Sequence, residues 1–210
     1  QRLTDRNSTL EQIRRAYLLA HQDTYHLKRN YRNTKEIAEL AAHFYAGLAS
    51  GVPEPPVRRG DRPKLLVTSG IDEAVDRIAK YAALHEDEEI GVLVQFDGTR
   101  KKLFNKLVHR LKGKSVAVQT YGSQDPEHQD AAKLRFDHPG TLTILCFGSA
   151  KGLEFDTVFL PELQTVPSDS SQRDQVRMRL YVMTSRARKG LWLMVSDSAG
   201  TSGIWNLLPA

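Results

Sequence analysis

A single cysteine, Cys146, supplies all the thiol chemistry of this 210-residue chain, and it lies inside an apolar run. A disulfide framework and a cysteine-rich zinc site are therefore excluded, and the scarcity suits a reducing, cytoplasmic setting. No stretch approaches the ~18 uninterrupted apolar residues of a membrane span. The N-terminus carries no apolar targeting segment, and because the first residue is Gln1 a piece of a longer chain is expected. Neither G-x-x-x-x-G-K-S/T nor G-x-G-x-x-G occurs, so no complete phosphate cradle is encoded. H-E-x-x-H and G-x-S-x-G are missing too. The histidines, at 21, 26, 43, 85, 109, 128 and 138, have no ligand spacing, and no metal site is expected.

What is present reads as a globular chain, 40% apolar and 26% charged. A net charge of +5 leans only modestly toward polyanionic partners. Apolar runs recur at 64–68, 90–96, 115–121, 141–147, 157–160 and 191–195. They are continuous rather than alternating, as in strands covered on both faces of a parallel sheet. Helical patterns lie between several of them. One opens at Ser69 with a stripe of Ile71, Val75, Ile78, Ala79 and Ala82. Another runs from Thr99 to Leu111, and a shorter one is expected to start at Asp125-Pro126. The alternation predicts an α/β fold, a mostly parallel sheet with helices on both faces.

The first third differs. Ser8 with Glu11, and Asn33 with Glu36, have the spacing of capping boxes, predicting helices to about Gln22 and about Ala49. Residues 51–63 hold four of the nine prolines and form the clearest break. The expected division is therefore a helical lead-in over 1–50, a proline-rich loop over 51–63 and a sheet core over 64–210.

Three constellations could carry chemistry. In Lys28–Asn33 five polar or charged residues surround Tyr31: a tyrosine can stack on a base and an arginine can chelate phosphate, or the stretch is a solvated loop. In Lys151–Asp156, Gly152 allows close backbone approach, Lys151 can meet a phosphate and Glu154 can accept from hydroxyls; the alternative is a connecting loop with a surface ion pair. In Gln175–Lys189, Val176, Leu180 and Met183 make one helical stripe, and Arg177, Arg186, Arg188 and Lys189 leave other faces. Cations at a helix C-terminus also suit its dipole, so a basic cap explains them equally well.

Together and in order, NYRNTKEIAELA, SAKGLEFDTVFLPEL and RMRLYVMTSRARKGL resemble motifs IV, V and VI of superfamily I helicases of the UvrD/Rep type, over roughly residues 27 to 195. The resemblance implies a RecA-like fold and the second of two such domains, with ATP in the cleft between them. Mg2+ and the phosphate loop would belong to an N-terminal domain outside this sequence. By position, Tyr31 would stack on adenine, Arg32 would reach the γ-phosphate, Glu154 would bond the nucleotide, and Arg186 would be an arginine finger, with Arg177 supporting its helix. Gln1 would be the nucleotide-sensing end of motif III. Single-stranded or partly duplex DNA would be the partner, met by Lys151, Gly148 and Tyr121, with no role for a membrane. Two departures stand out: Cys146 and Gly148 occupy the positions of the Thr-x-His common in relatives, and Ser185 replaces a threonine. The altered pair leaves open a non-catalytic module that binds nucleic acid or protein. A small-molecule enzyme of doubly wound type would need a complete acid–base pocket, which no pair of residues here furnishes.

Overall fold

The computed structural model describes residues 8–20, 30–46, 51–167, 172–197 and 200–209. Its centre is one sheet of six strands: β1 (Lys64–Val67), β2 (Glu89–Val94), β3 (Ala117–Tyr121), β4 (Thr141–Cys146), β5 (Phe155–Leu160) and β6 (Ala187–Val195). The order is β1-β6-β5-β2-β4-β3, and every pairing is parallel. This is the α/β architecture read from the continuous apolar runs. β2, in the interior of the sheet, is buried at all six positions, because helices cover both faces.

One face carries α3 (Ile71–Leu84) and α4 (Asp97–Arg110). Val75, Ile78 and Ala82 of α3 and Leu103 and Leu107 of α4 pack there on Val92, Leu142 and Ile144. The other face carries α2 (Lys35–His43) and α5 (Arg173–Thr184). Ile37 and Phe44 meet Val176, Leu180 and Met183 there, over Leu93 and Leu145. Side-chain alternation along β2, β4, β5 and β6 feeds both clusters, so these strands are buried on both faces, whereas β1 and β3 at the sheet edges stay partly exposed.

Several local expectations are corrected. The capping box of α1 (Leu10–Ala16) is built by Thr9 and Gln12, not Ser8 and Glu11, and that helix ends six residues before Gln22, which lies outside the described residues. At α2 the N-cap is Thr34, whose side chain makes no capping bond. Asn33 is committed elsewhere, and Glu36 instead accepts from the Gly60 N–H at 2.9 Å. No helix starts at Asp125-Pro126; the segment turns, with a 3-10 turn at Ala131–Lys133. The reason is Arg100, fully buried on α4, which holds Asp125 at 2.6 Å and Thr120 at 2.7 Å and so folds the loop onto the helix. Among the described residues, no helix is long and apolar enough to cross a membrane.

Candidate nucleotide and nucleic-acid site

Register brings the second and third constellations together. Phe155 pairs with Ala187 at the start of β5 and β6. The residues before them, Glu154 and Arg186, therefore lie side by side at the N-terminal end of the two strands. The Phe155 N–H donates to Arg186 O at 3.0 Å and locks the junction.

The first constellation joins them through asparagines. Asn30 Oδ1 accepts from the N–H groups of Arg32 at 2.9 Å and Asn33 at 3.3 Å, winding the loop into a tight turn. Asn33 is buried, and its Nδ2 donates to Ser185 O at 3.2 Å and Ala187 O at 2.5 Å, on either side of Arg186. Arg58, from the proline-rich loop, donates to Arg32 O and Arg188 O at 2.5 and 2.6 Å. The loop is thus pinned from two sides. Arg32 meets Glu154 at 2.5 Å, with both side chains about one-third exposed. Tyr31 stands beside them, 78% exposed.

Arg186 faces inward. It is 1% exposed and donates from Nε to Val182 O at 3.0 Å and from a terminal nitrogen to Leu153 O at 3.2 Å. Burial, together with the nearby charge of Arg32, pulls its pKa down to about 10, while Glu154 and Tyr181 oppose the shift. The cluster thus holds two guanidiniums against one carboxylate, a locally cationic rim. Arg32 Nε is buried and has no hydrogen-bond partner.

The other sequence candidates lie elsewhere. Tyr121 ends β3 and is opposite Leu145 in β4, three residues before Gly148. Both therefore sit at the C-terminal end of the sheet, opposite the arginine rim. Tyr121 is half-buried against the core, whereas Gly148 and Lys151 are exposed. The connection from Phe147 to Glu154 runs from one end of the sheet to the other, with Gly152 at φ 91° in its bend. Gln1 lies outside the described residues. Arg177 ties its helix to α2: it donates to His43 O at 2.8 Å and Tyr45 O at 3.3 Å, at the end of α2. Arg188 and Lys189 are tied to Asp156, each at 3.3 Å, and Arg188 also to Glu89 at 2.9 Å. Sequence reasoning missed Asn30 and Arg58; the Asn-x-x-Asn spacing was the available signal for the first, and nothing local marks the second. Among the described residues no group of three or more His, Cys, Asp or Glu side chains is placed to hold a metal.

With this geometry in view, comparison with known proteins is specific in one region. Residues 148–194, which span the second and third constellations, match the UvrD-like helicase C-terminal domain family. Among solved structures, the C-terminal domain of a possible DNA helicase from Lactobacillus plantarum WCFS1 superposes with a TM-score of 0.56 at 24% identity, over 79% of this chain and 87% of that one. The C-terminal domain of the DEAD-box protein Dbp5 gives 0.47 at 13% identity, over 69% and 82%. An arterivirus nonstructural protein 10 helicase, solved with DNA, gives 0.42 at 12% identity, over 77% and 31%. No curated protein matches the chain. By its match over residues 148–194 and by the all-parallel sheet around them, the chain is similar to the C-terminal RecA-like domains of UvrD-like helicases.

Proposed function

We propose that the chain is the C-terminal RecA-like half of an ATP-dependent superfamily I DNA helicase or translocase, contributing arginines to an ATP site shared with an N-terminal domain. The observation that carries this reading is the rim at β5 and β6, where Arg32, Glu154 and Arg186 meet with an excess of positive charge. Phosphoryl transfer depends on positive charge placed around the transferred group, and an arginine finger contributes ~10³–10⁵ in rate. Arg32, whose guanidinium is partly exposed at this rim, would reach the phosphate oxygens. Tyr31 offers an open ring for stacking on adenine, and Glu154 an acceptor for sugar hydroxyls. Mg2+ and the phosphate loop would come from the N-terminal domain, since this sequence encodes no phosphate cradle. Gly148 and Tyr121, at the far end of the sheet, and Lys151, on the connection between the two ends, would meet single-stranded or partly duplex DNA. Nucleotide at one end and strand at the other lets cleft closure be coupled to a step along the strand.

A second reading draws on Arg186 itself. Its guanidinium already serves main-chain carbonyls, as a purely structural arginine would, and that fits a non-catalytic binding module. One experiment separates the two. In the full protein, Arg32→Ala and Arg186→Ala are expected to lower ATP turnover by ~10³-fold or more, with DNA affinity in the absence of nucleotide retained. The present chain alone is expected to turn over essentially no ATP. Unchanged turnover in both variants, or strong turnover by the isolated chain, removes the shared-site reading.

A further inference from the structure

The sheet has a free edge. β1 is its outermost strand, and the Thr68 N–H donates to Val195 O at 2.9 Å. Because backbone groups alternate along a strand, Lys64 and Leu66 also turn theirs toward β6. Leu65 and Val67 turn their N–H and C=O groups outward, and no described residue bonds to them. Their side chains share one face and are 42% and 49% exposed. Beside Leu65 opens a groove of about 290 Å³, walled by Leu40, Leu193, Leu208 and Pro209.

Charge along this edge is uneven. Two acids border the groove, but both are engaged. Glu36 accepts from the Gly60 N–H and lies 3.9 Å from Arg59, and Glu39 lies 3.7 Å from Lys35. On the strand side Arg62 and Lys64 are exposed, and neither has a carboxylate within ion-pair distance among the described residues. Lys64 lies 4.3 Å from the centre of the Trp192 ring, which holds its ammonium along the edge.

Outward donors and acceptors, apolar side chains over a groove and uncompensated cations fit one chemistry: an extended segment that alternates apolar and acidic residues. We infer that β1 docks such a segment of a partner protein as a seventh strand, with apolar side chains in the groove beside Leu65 and carboxylates on Arg62 and Lys64. The inference does not depend on the nucleotide reading. A lysine on an edge strand ordinarily discourages indiscriminate pairing; here it also selects for acid in the partner.

The probe is an acetylated ten-residue peptide alternating leucine or valine with glutamate; its counterpart carries lysine in place of glutamate. Hydrogen exchange of the full chain is read at the amides of Leu65 and Val67. Both should exchange quickly without peptide and slow at least tenfold with the acidic peptide, while the lysine peptide has no effect. The double variant Arg62→Glu, Lys64→Glu should weaken acidic-peptide binding at least tenfold. Val67→Pro removes an outward donor without touching the β6 ladder, and should abolish binding with the thermal midpoint nearly unchanged. The proposal is overturned if the acidic peptide leaves both amides unprotected, or if the lysine peptide protects them equally. It is also overturned if they are already protected without peptide: protection that rises with protein concentration would assign the edge to a second copy, and concentration-independent protection to this chain's own segments.

Discussion

At the scale of single residues, arginine behaves in three ways in this fold. Arg32 is a surface ion-pair partner, Arg186 a buried donor to carbonyls, and Arg100 a buried hub that holds the exposed Asp97 at 2.7 Å and the buried Asp125 at 2.6 Å. A buried arginine needs such partners, because desolvating an unpaired charge is prohibitively unfavourable. The pairing has a consequence in acid. The Arg100 guanidinium holds the Asp125 carboxyl at about 2, below its ordinary 3.8. A depressed carboxylate stabilises the folded state above its unfolded pKa, and that contribution is lost as pH falls through the folded value. The urea midpoint is therefore expected to decline between about pH 4 and pH 2. In Asp125→Asn the decline over that window should be shallower than in the parent; equal slopes in a urea titration at each pH would show that Asp125 does not carry the effect. This network could not be read from the sequence, since Asp125-Pro126 has the form of a helix start. What overrides it is a partner twenty-five residues away. Asn33 is similar: its spacing to Glu36 reads as a capping box, yet its amide is spent on Ser185 O and Ala187 O. Two buried carbonyls there offer it more than a helix end in water does.

At the scale of elements, strands were far more legible than caps or loops. Runs of Val, Ile, Leu and Phe carry their own signal, because a strand covered on both faces must be apolar at nearly every position. Helix limits were less so: the stripe of α3 is buried as its spacing requires, but α1 and α2 stop sooner than their patterns suggest. Gly91 shows what element packing adds. A Cβ there would lie 2.5 Å from Phe155 Cδ2 and 2.7 Å from Cγ, so the missing side chain lets the ring of β5 lie flat against β2. Both residues are in the core, and neither can move without displacing the sheet. Gly91→Ala is expected to lower stability by about 1–3 kcal/mol through overpacking, measured as a shifted urea midpoint at constant m-value. A neutral result would mean that Phe155 has room the packing does not reveal. The same ring stands directly after Glu154, so a shifted Phe155 would also disturb the arginine rim.

At the scale of the whole molecule, the parallel sheet separates two sets of residues by its own length. Arg32, Glu154 and Arg186 gather where β5 and β6 begin, while Tyr121 and Gly148 sit where β3 and β4 end. The short Phe147–Glu154 connection, with Lys151 exposed along it, runs from one end to the other. If the proposed division of labour holds, Lys151 touches a phosphate of the strand and not the nucleotide. Lys151→Ala in the full protein should then weaken single-stranded DNA binding regardless of sequence and reduce the slope of log affinity against log salt by about 1, with the KM for ATP unmoved at saturating DNA. An unchanged salt slope would take Lys151 out of the strand path. The sequence by itself determined the class of fold, the parallel sheet and the three segments that bear charge, because apolar continuity and short motifs are local properties written residue by residue. Which of those charges meet was decided only by tertiary structure. The pairing register of β5 with β6 sets Glu154 beside Arg186, and Asn33, bonded to carbonyls more than a hundred and fifty residues away, draws Arg32 to them. Such juxtapositions depend on strand order and on buried carbonyls seeking donors, and neither is encoded in any one stretch of the chain.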